Sequence, residues 1–421
     1  MSPFKVIIIG SGLAGSLLPN GLARHYRRCS KKEGYQIRLG ENVLVGLRAC
    51  LEKDRLMYIV RKFGCASAPL SDAPIIYDHH FKWVLDLGAF PAYAKSAPIN
   101  RFILRDALAE PLDRAGRLHY EKAFSRYEIV NDFGSERVRV WFEDGTSDDC
   151  DILVGADGNR SRLNKQLGLN NIQTLQSHAI FLTKCELPVS TYKKLSPELL
   201  GSPIGTSAQN ASLLRDVEFV LNTTDRQDGS APTVYDHQLS SCMLGCAIPA
   251  DILPRDLTSL STEAKWDLTH RAFKEWSPKY QEAIELFRGQ DVYAFWPRVG
   301  SRPSMNWHES ICNSQRPGAR SPSRLAFGRR GAPHAVKQCG GMGGNQAMRD
   351  AADMLPVLVE LAEKYKSSAP PGEPEIKDAC RRYEQAMIPR AFEWVSKSGG
   401  RKPVLIDTAR RLDRLILALV A

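Results

Sequence analysis

The sequence predicts an α/β protein of two interleaved domains, one built on a parallel sheet and one on a mostly antiparallel sheet. Three observations lead there. A β-branched apolar run at Val6 to Ile9 ends in glycines, a second apolar run at Ile152 to Val154 ends in an Asp-Gly turn, and residues 176 to 289 carry several strand-like runs. The 421 residues, 43% hydrophobic and 25% charged, are enough for two cores without disulfide or metal staples.

The first element is Phe4 to Gly15. Val6 to Ile9 reads as a strand buried on both faces, and the glycines after it open a helix. Gly10 permits the tight turn, Gly12 lets backbone approach a pyrophosphate, and Gly15 lets the helix pack on the strand. Leu13 and Ala14 fall in the first helical turn, whose N–H groups and dipole face phosphates. A dinucleotide site is expected; a ligand-free Gly-rich turn is the alternative.

A dinucleotide unit continues with a second strand ending in Asp or Glu about 20 residues on. Here Pro19 interrupts the expected helix, where it costs about 3 kcal/mol unless the helix ends or kinks. The stretch after Gly21, from His25 to Glu33, is too polar for a buried strand. Glu33 is the one carboxylate near the right distance, and nothing strand-like delivers it.

Asn100 to Leu108 is spaced for one helical face, with Arg101 at its start, either beside a phosphate or on a solvated face. Arg137 to Phe142 is strand-like and leads to an Asp144-Gly145 turn. Cys150 to Leu163 then runs strand, Gly/Asp turn, helix, placing backbone amides and Asp157 with Gly158 at the C-terminal edge of a sheet. In the middle of the chain, strands are expected at Ala179 to Leu187, Val217 to Asn222 and Ser241 to Ile248, and a helix through Thr262 to Trp276. No His, Cys or Ser there has a partner at a spacing that identifies a nucleophile or a metal.

The N-terminal GxGxxG, the Asn100-Arg101-x-x-Leu104-Arg105 segment and the turn Gly155-Ala156-Asp157-Gly158-x-x-Ser161 resemble the flavin-dependent monooxygenases of the para-hydroxybenzoate and salicylate hydroxylase class, fungal secondary-metabolism type. Ala332-Pro333-His334-Ala335, followed by Gly340-Gly341-Met342-Gly343-Gly344-Asn345 and Asp350-Ala351, is similar to a further motif of that family, on a helix whose N-terminal amides face the flavin. Tyr383-Glu384, Pro389-Arg390 and Trp394 resemble its closing helix.

The resemblance implies FAD as cofactor, with NAD(P)H and O2 as co-substrates. It implies hydroxylation or epoxidation of an aromatic or polyketide-like molecule through a flavin C4a-hydroperoxide. The cofactor residues would be Gly10, Gly12, Leu13, Ala14, Gly15, Arg101, Asp157, Gly158, Gly341, Met342, Gly343, Gly344 and Asn345. No side chain is singled out as catalytic, because the cofactor carries the chemistry. An FAD domain is expected from residues 1–175 and 290–400, a Rossmann-like parallel sheet, with a substrate sheet at 176–289 to which 75–95 adds a strand. A C-terminal helix is expected over 401–421, and Trp296-Pro297 is read either as the return to the FAD domain or as a plain core tryptophan.

Departures accompany the match. The family's Gly-Asp pair falls on Arg330 and Gly331, its second-strand glutamate is missing, and Gly34 arrives too soon for that strand. Trp307 to Arg324 reads as a polar loop or insertion. A fold-retaining member with impaired FAD binding is therefore the alternative. A halogenase is disfavoured, because no WxWxIP-type motif occurs.

Composition excludes other classes. The net charge of +10 is spread over separate clusters such as Arg27, Arg28, Lys31 and Lys32, with few interleaved aromatics, so nucleic-acid binding is not expected. The ten cysteines contain no CxxC and no zinc spacing, and no apolar stretch reaches the ~18 residues of a membrane span. Without a leader-like N-terminus, a reducing, cytoplasmic setting is expected.

Overall fold

In the computed structural model the described residues are 4–21, 25–26, 36–62, 75–89, 97–132, 135–158, 160–169, 171–200, 204–210, 215–224, 239–303, 307, 325–327, 342–367 and 371–397. In chain order the elements begin with β1 (Val6–Ile9), α1 (Leu13–Leu17), β2 (His25–Tyr26), β3 (Gln36–Leu39), α2 (Glu41–Cys50), α3 (Lys53–Val60), β4 (Ile75–Tyr77), β5 (Trp83–Asp86), β6 (Ala97–Asn100) and α4 (Arg101–Arg114). Next come β7 (Leu118–His119), β8 (Phe124–Asp132), β9 (Ser135–Phe142), β10 (Ser147–Cys150), β11 (Ile152–Gly155), α5 (Arg162–Leu167), β12 (Ile172–Thr174) and β13 (His178–Pro188). The remaining elements are β14 (Ile204–Asn210), β15 (Arg215–Thr224), β16 (Leu239–Pro249), α6 (Thr262–Ala272), α7 (Pro278–Phe287), β17 (Tyr293–Phe295), β18 (Arg298–Gly300), β19 (Leu325–Phe327), α8 (Met342–Ser367) and α9 (Glu373–Lys397).

The α/β fold expected from the sequence is present. A five-stranded parallel sheet runs β19-β11-β1-β2-β7, and β1 lies directly on β11 with Val6 opposite Ile152 and Ile9 opposite Gly155. Both faces of β1 are covered. Val6 and Ile8 enter one core with Leu47, Leu104, Met348 and Tyr383, while Ile7 and Ile9 enter a second with Val138, Val140 and Leu163. Each fully buried Ile is worth roughly 1.5–3 kcal/mol, which is why a continuous apolar run suits this place. Asp151 fixes the register: its carboxylate accepts from the Lys5 amide at 2.7 Å, and its own amide donates to the Lys5 carbonyl at 2.8 Å.

The second sheet has seven strands in the order β17-β13-β16-β15-β14-β4-β5, antiparallel except where β14 meets β4. Its long central pair, β13 and β16, matches from His178 opposite Pro249 to Pro188 opposite Leu239. One face packs on α6 and α7 through Phe181, Leu244, Trp266, Phe273, Trp276 and Tyr280. The other face carries a smaller apolar cluster of Ile180, Leu182 and Ala247, with Met243 and Phe295 against it. The chain enters and leaves this sheet side by side, since β12 pairs with β18 and Leu175 donates to the Pro297 carbonyl at 2.8 Å.

Two sequence expectations are corrected, and the strand after Gly34 adds to them. The polar stretch after Gly21 does reach the parallel sheet, because β2 needs only two residues of backbone: Tyr26 pairs with Ile9, and His25 and Tyr26 pair with β7. The segment after Gly34 also forms a strand, β3, but it pairs antiparallel with β6 outside the parallel sheet. Trp307 is no loop residue; it is 4% exposed, and its indole donates to Glu384 at 3.0 Å. Pro19 behaves as its chemistry requires: the α-helix stops at Leu17 and a 3-10 turn, Leu18–Gly21, carries the proline. Residues 27–35, 328–341 and 398–421 lie outside the described residues, and with them Glu33, Gly34, Arg330, Gly331, His334, Gly341 and the expected terminal helix.

Candidate functional site

The site begins where β1 ends. Gly10 has φ +103°, in the left-handed region, and a Cβ there would collide with the Ala156 carbonyl. A Cβ on Gly15 would collide with the Gly10 carbonyl. The two glycines therefore let the turn fold on itself and let β11 pass beneath it, where Ala156 donates to the Ile9 carbonyl at 2.7 Å. Gly12 is the N-cap of α1 and offers no side-chain cap, so the first-turn amides of Leu13 and Ala14 receive no cap hydrogen bond from it.

β11 delivers the second part. After Gly155 the chain turns at Gly158, φ +92°, and Ser161 caps α5 by accepting from the Asn164 amide at 2.9 Å. One oxygen of Asp157 accepts from the Arg162 amide at 2.9 Å, and the other is buried with no hydrogen-bond partner among the described residues. Burial pushes the Asp157 carboxyl above the usual aspartate range, against the opposing pull of its hydrogen bonds. Arg162 itself reaches back to the Phe124 carbonyl at 2.9 Å and to Glu143.

α8 closes the site. Gly344 lies 3.3 Å, measured from its would-be Cβ, from Leu13 of α1; Asn345 accepts from the Gly40 amide at 2.7 Å; and a Cβ on Gly46 would collide with the Met348 carbonyl. Around Gly343 the space is open to 4 Å. Ala14, Gly15, Val154, Ala156, Ala347 and Asp350 line one gap between α1, β11 and α8. Residues from three separate stretches, Gly10 to Gly15, Gly155 to Gly158 and Met342 to Asn345, are thus brought together.

Arg101 starts α4, and α4 is tied to the glycine turn by Asn20, whose amide donates to Ser16 at 2.7 Å and Leu108 at 3.0 Å. Gly40 and Gly46 were missed by sequence reasoning. The Ile37 to Gly40 run, followed six residues later by Gly46, was the available signal.

The deeper support of α8 was missed as well. Arg390 of α9 donates to Gln346 at 2.8 Å, Asp350 at 2.7 Å and Asp353 at 2.6 Å, and Asp350 is 1% exposed. Such a pair is stable only while both members are present.

The residues present fit a dinucleotide: uncapped amides at a helix start, a buried carboxylate oxygen with an open hydrogen-bonding position, and a second helix start beside them. Residues 3–197 match the family described as FAD binding domain. The matched stretch is a little under half of the chain and contains the Gly10 to Gly15 turn and Asp157. The match to an FAD binding domain supports FAD as the cofactor.

Among curated relatives, the chain is 24% identical over 417 residues to the dual O-methyltransferase/FAD-dependent monooxygenase elcB of Phaeosphaeria nodorum, covering 86% of this chain and 41% of that protein. It is 22% identical to the FAD-dependent monooxygenase sor5 of Hypocrea jecorina, covering 95% and 84%. A third relative, eupB of a Phoma species, is 26% identical over 38% of this chain and 39% of its own length. The chain spans less than half the length of two of these three relatives.

Among solved structures, Klebsiella pneumoniae HpxO complexed with FAD and uric acid superposes at TM-score 0.66, with 19% identity and coverage of 99% and 92%. The tetracycline destructase Tet(51) superposes at 0.62, with 14% identity and coverage of 100% and 97%.

Among the described residues no His/Cys/Asp/Glu group could hold a metal, and no helix is long and apolar enough to cross a membrane.

Proposed function

We propose that this flavoprotein is a monooxygenase that takes FAD, NAD(P)H and O2 and hydroxylates or epoxidises an aromatic or polyketide-like small molecule. The observation that carries the reading is the convergence of the Gly10 to Gly15 turn, Asp157 and the start of α8 in a chain with a second, largely antiparallel sheet. The names of the fungal relatives support the reaction class.

In this reading the amides of Gly12, Leu13, Ala14 and Gly15 hold the pyrophosphate, because a helix start concentrates N–H donors and positive potential. Asp157 offers its open carboxylate oxygen, with Gly158 admitting the close approach. Met342, Gly343, Gly344 and Asn345 at the start of α8 would hold the flavin end of the cofactor, with the expected Gly341 outside the described residues, and Arg101 would add positive charge. The bound flavin, once reduced by a nicotinamide, supplies activated oxygen.

The chain's own part is to orient the substrate and keep water out. Ile180, Leu182, Met243, Ala247 and Phe295 form an apolar surface suited to a flat, hydrophobic molecule. Tyr293, 47% exposed and opposite Leu182 on β17, adds an aromatic ring at its edge. The sheet orders these residues by strand alternation, so the surface is set before any ligand arrives.

The test is a titration of the purified chain with FAD, followed in the visible flavin bands, and then a measurement of NAD(P)H oxidation and O2 uptake. Stoichiometric flavin uptake with nicotinamide-dependent bleaching supports the reading. A colourless protein that takes up no flavin would refute it.

A further inference from the structure

The central strand pair of the second sheet carries two cysteines face to face. In the antiparallel register of β13 and β16, Cys185 lies directly opposite Cys242. Residues directly opposite share one face of the sheet, and here it is the face beneath α6 and α7: Cys242 belongs to that core at 1% exposure, and Cys185, half-buried, packs against it. Opposed Cα atoms in an antiparallel pair are about 4.5–5.5 Å apart, inside the ~4.4–6.8 Å that a disulfide spans. Neither sulfur is in a disulfide.

The remaining described cysteines are badly placed for this chemistry. Cys246 shares the face of Cys242 but stands four residues along β16, opposite Phe181, and so about 13 Å from the Cys242 position at ~3.4 Å per residue. Cys50, Cys150 and Cys380 sit in the cores of the other sheet, and burial pushes the Cys50 and Cys380 thiols up to about 12.

We propose that Cys185 and Cys242 form an oxidisable dithiol site whose co-substrate is a peroxide. The sulfur of Cys185, the less buried of the two, attacks one oxygen of hydrogen peroxide; the O–O bond breaks, one water leaves, and Cys185 becomes a sulfenic acid. The sulfur of Cys242 then attacks the Cys185 sulfur, the S–O bond breaks, and the second water leaves with the remaining thiol proton. Two thiols and one peroxide give one disulfide and two waters, with two electrons passed from sulfur to oxygen. The product staples β13 to β16, the second and third strands of the seven-stranded sheet. Nothing in this step requires flavin or turnover, so it stands or falls separately from the monooxygenase reading.

The experiment treats the purified full chain, without FAD or nicotinamide, with hydrogen peroxide. Thiols are then alkylated under denaturing conditions, and peptides are mapped by mass spectrometry. The expected result is a linked peptide pair joining Cys185 to Cys242, lighter by two hydrogens, released by dithiothreitol and absent from Cys185→Ser and Cys242→Ser. Amides of β13 should exchange with solvent at least several-fold more slowly in the oxidised wild-type chain. Recovery of both residues as thiols, conversion of Cys185 to sulfinic acid, or bridging of either to a different cysteine would overturn the proposal, and each is read on the wild-type protein, whatever the variants' ability to fold.

Discussion

Two residues at the glycine turn can be judged by space alone. A methyl group on Gly10 meets the Ala156 carbonyl and one on Gly15 meets the Gly10 carbonyl, and Gly10 also needs φ +103°. Backbone cannot move aside as a flexible side chain can. Gly10→Ala is expected to cost about 1–3 kcal/mol of stability from strain and overpacking together, seen as a lower urea midpoint. Gly116→Ala is the control, since Gly116 has φ +60° but nothing within 4 Å, and it should lose only about 1 kcal/mol.

Asp157 is the titrating residue of the site. Its folded pKa is raised by burial, so the folded chain holds a proton that the unfolded chain has released. Stability is then highest below the ordinary aspartate range, falls as pH rises through that range to the raised value, and is flat above it. Asp157→Asn should abolish this slope in urea midpoints measured against pH. If Asp157 also meets the cofactor, the same variant should weaken FAD binding by about tenfold, the worth of one hydrogen bond of ~1.4 kcal/mol.

At the level of elements, α8 is held at two heights. Near its start Asn345 accepts from Gly40, and one turn and more along, Arg390 joins it to α9. Asn345→Ala removes one neutral hydrogen bond and is expected to cost about 1 kcal/mol. Arg390→Ala removes the guanidinium that pairs with buried Asp350 and with Asp353, so a loss of about 3–5 kcal/mol is expected. Thermal unfolding of the two variants should rank them in that order, and equal losses would show that the α8–α9 contact is not a buried ion pair in solution. Elements also explain what was hard to read in the sequence. β2 is two polar-flanked residues that pair with β1 and β7, and Trp307 lies in a polar run yet reaches Glu384 across the fold; neither carries a periodicity.

For the whole molecule, the proposed division of labour between the two sheets makes separable predictions. Leu182 and Ala247 lie on the face of the second sheet opposite to α6 and α7, away from the glycine turn in sequence and in sheet. Ala247→Phe should leave FAD uptake unchanged while altering which aromatic or polyketide-like compounds stimulate NAD(P)H oxidation. A parallel loss of flavin would show that the two sheets do not act independently.

The sequence by itself determined the local features: the doubly buried β1, the Gly10 turn, the Asp157 turn, the helix from Arg101 and the long strands β13, β15 and β16, because backbone preference and apolar alternation act over a few residues. Only the tertiary structure decided how distant pieces meet. The closeness of Gly344 to Leu13, of Asn345 to Gly40 and of Met348 to Gly46, the Arg390 network, and the opposition of Cys185 to Cys242 each join residues tens to hundreds of positions apart. Such contacts follow from sheet order and helix packing, which depend on the whole chain closing its cores at once rather than on any one segment's pattern.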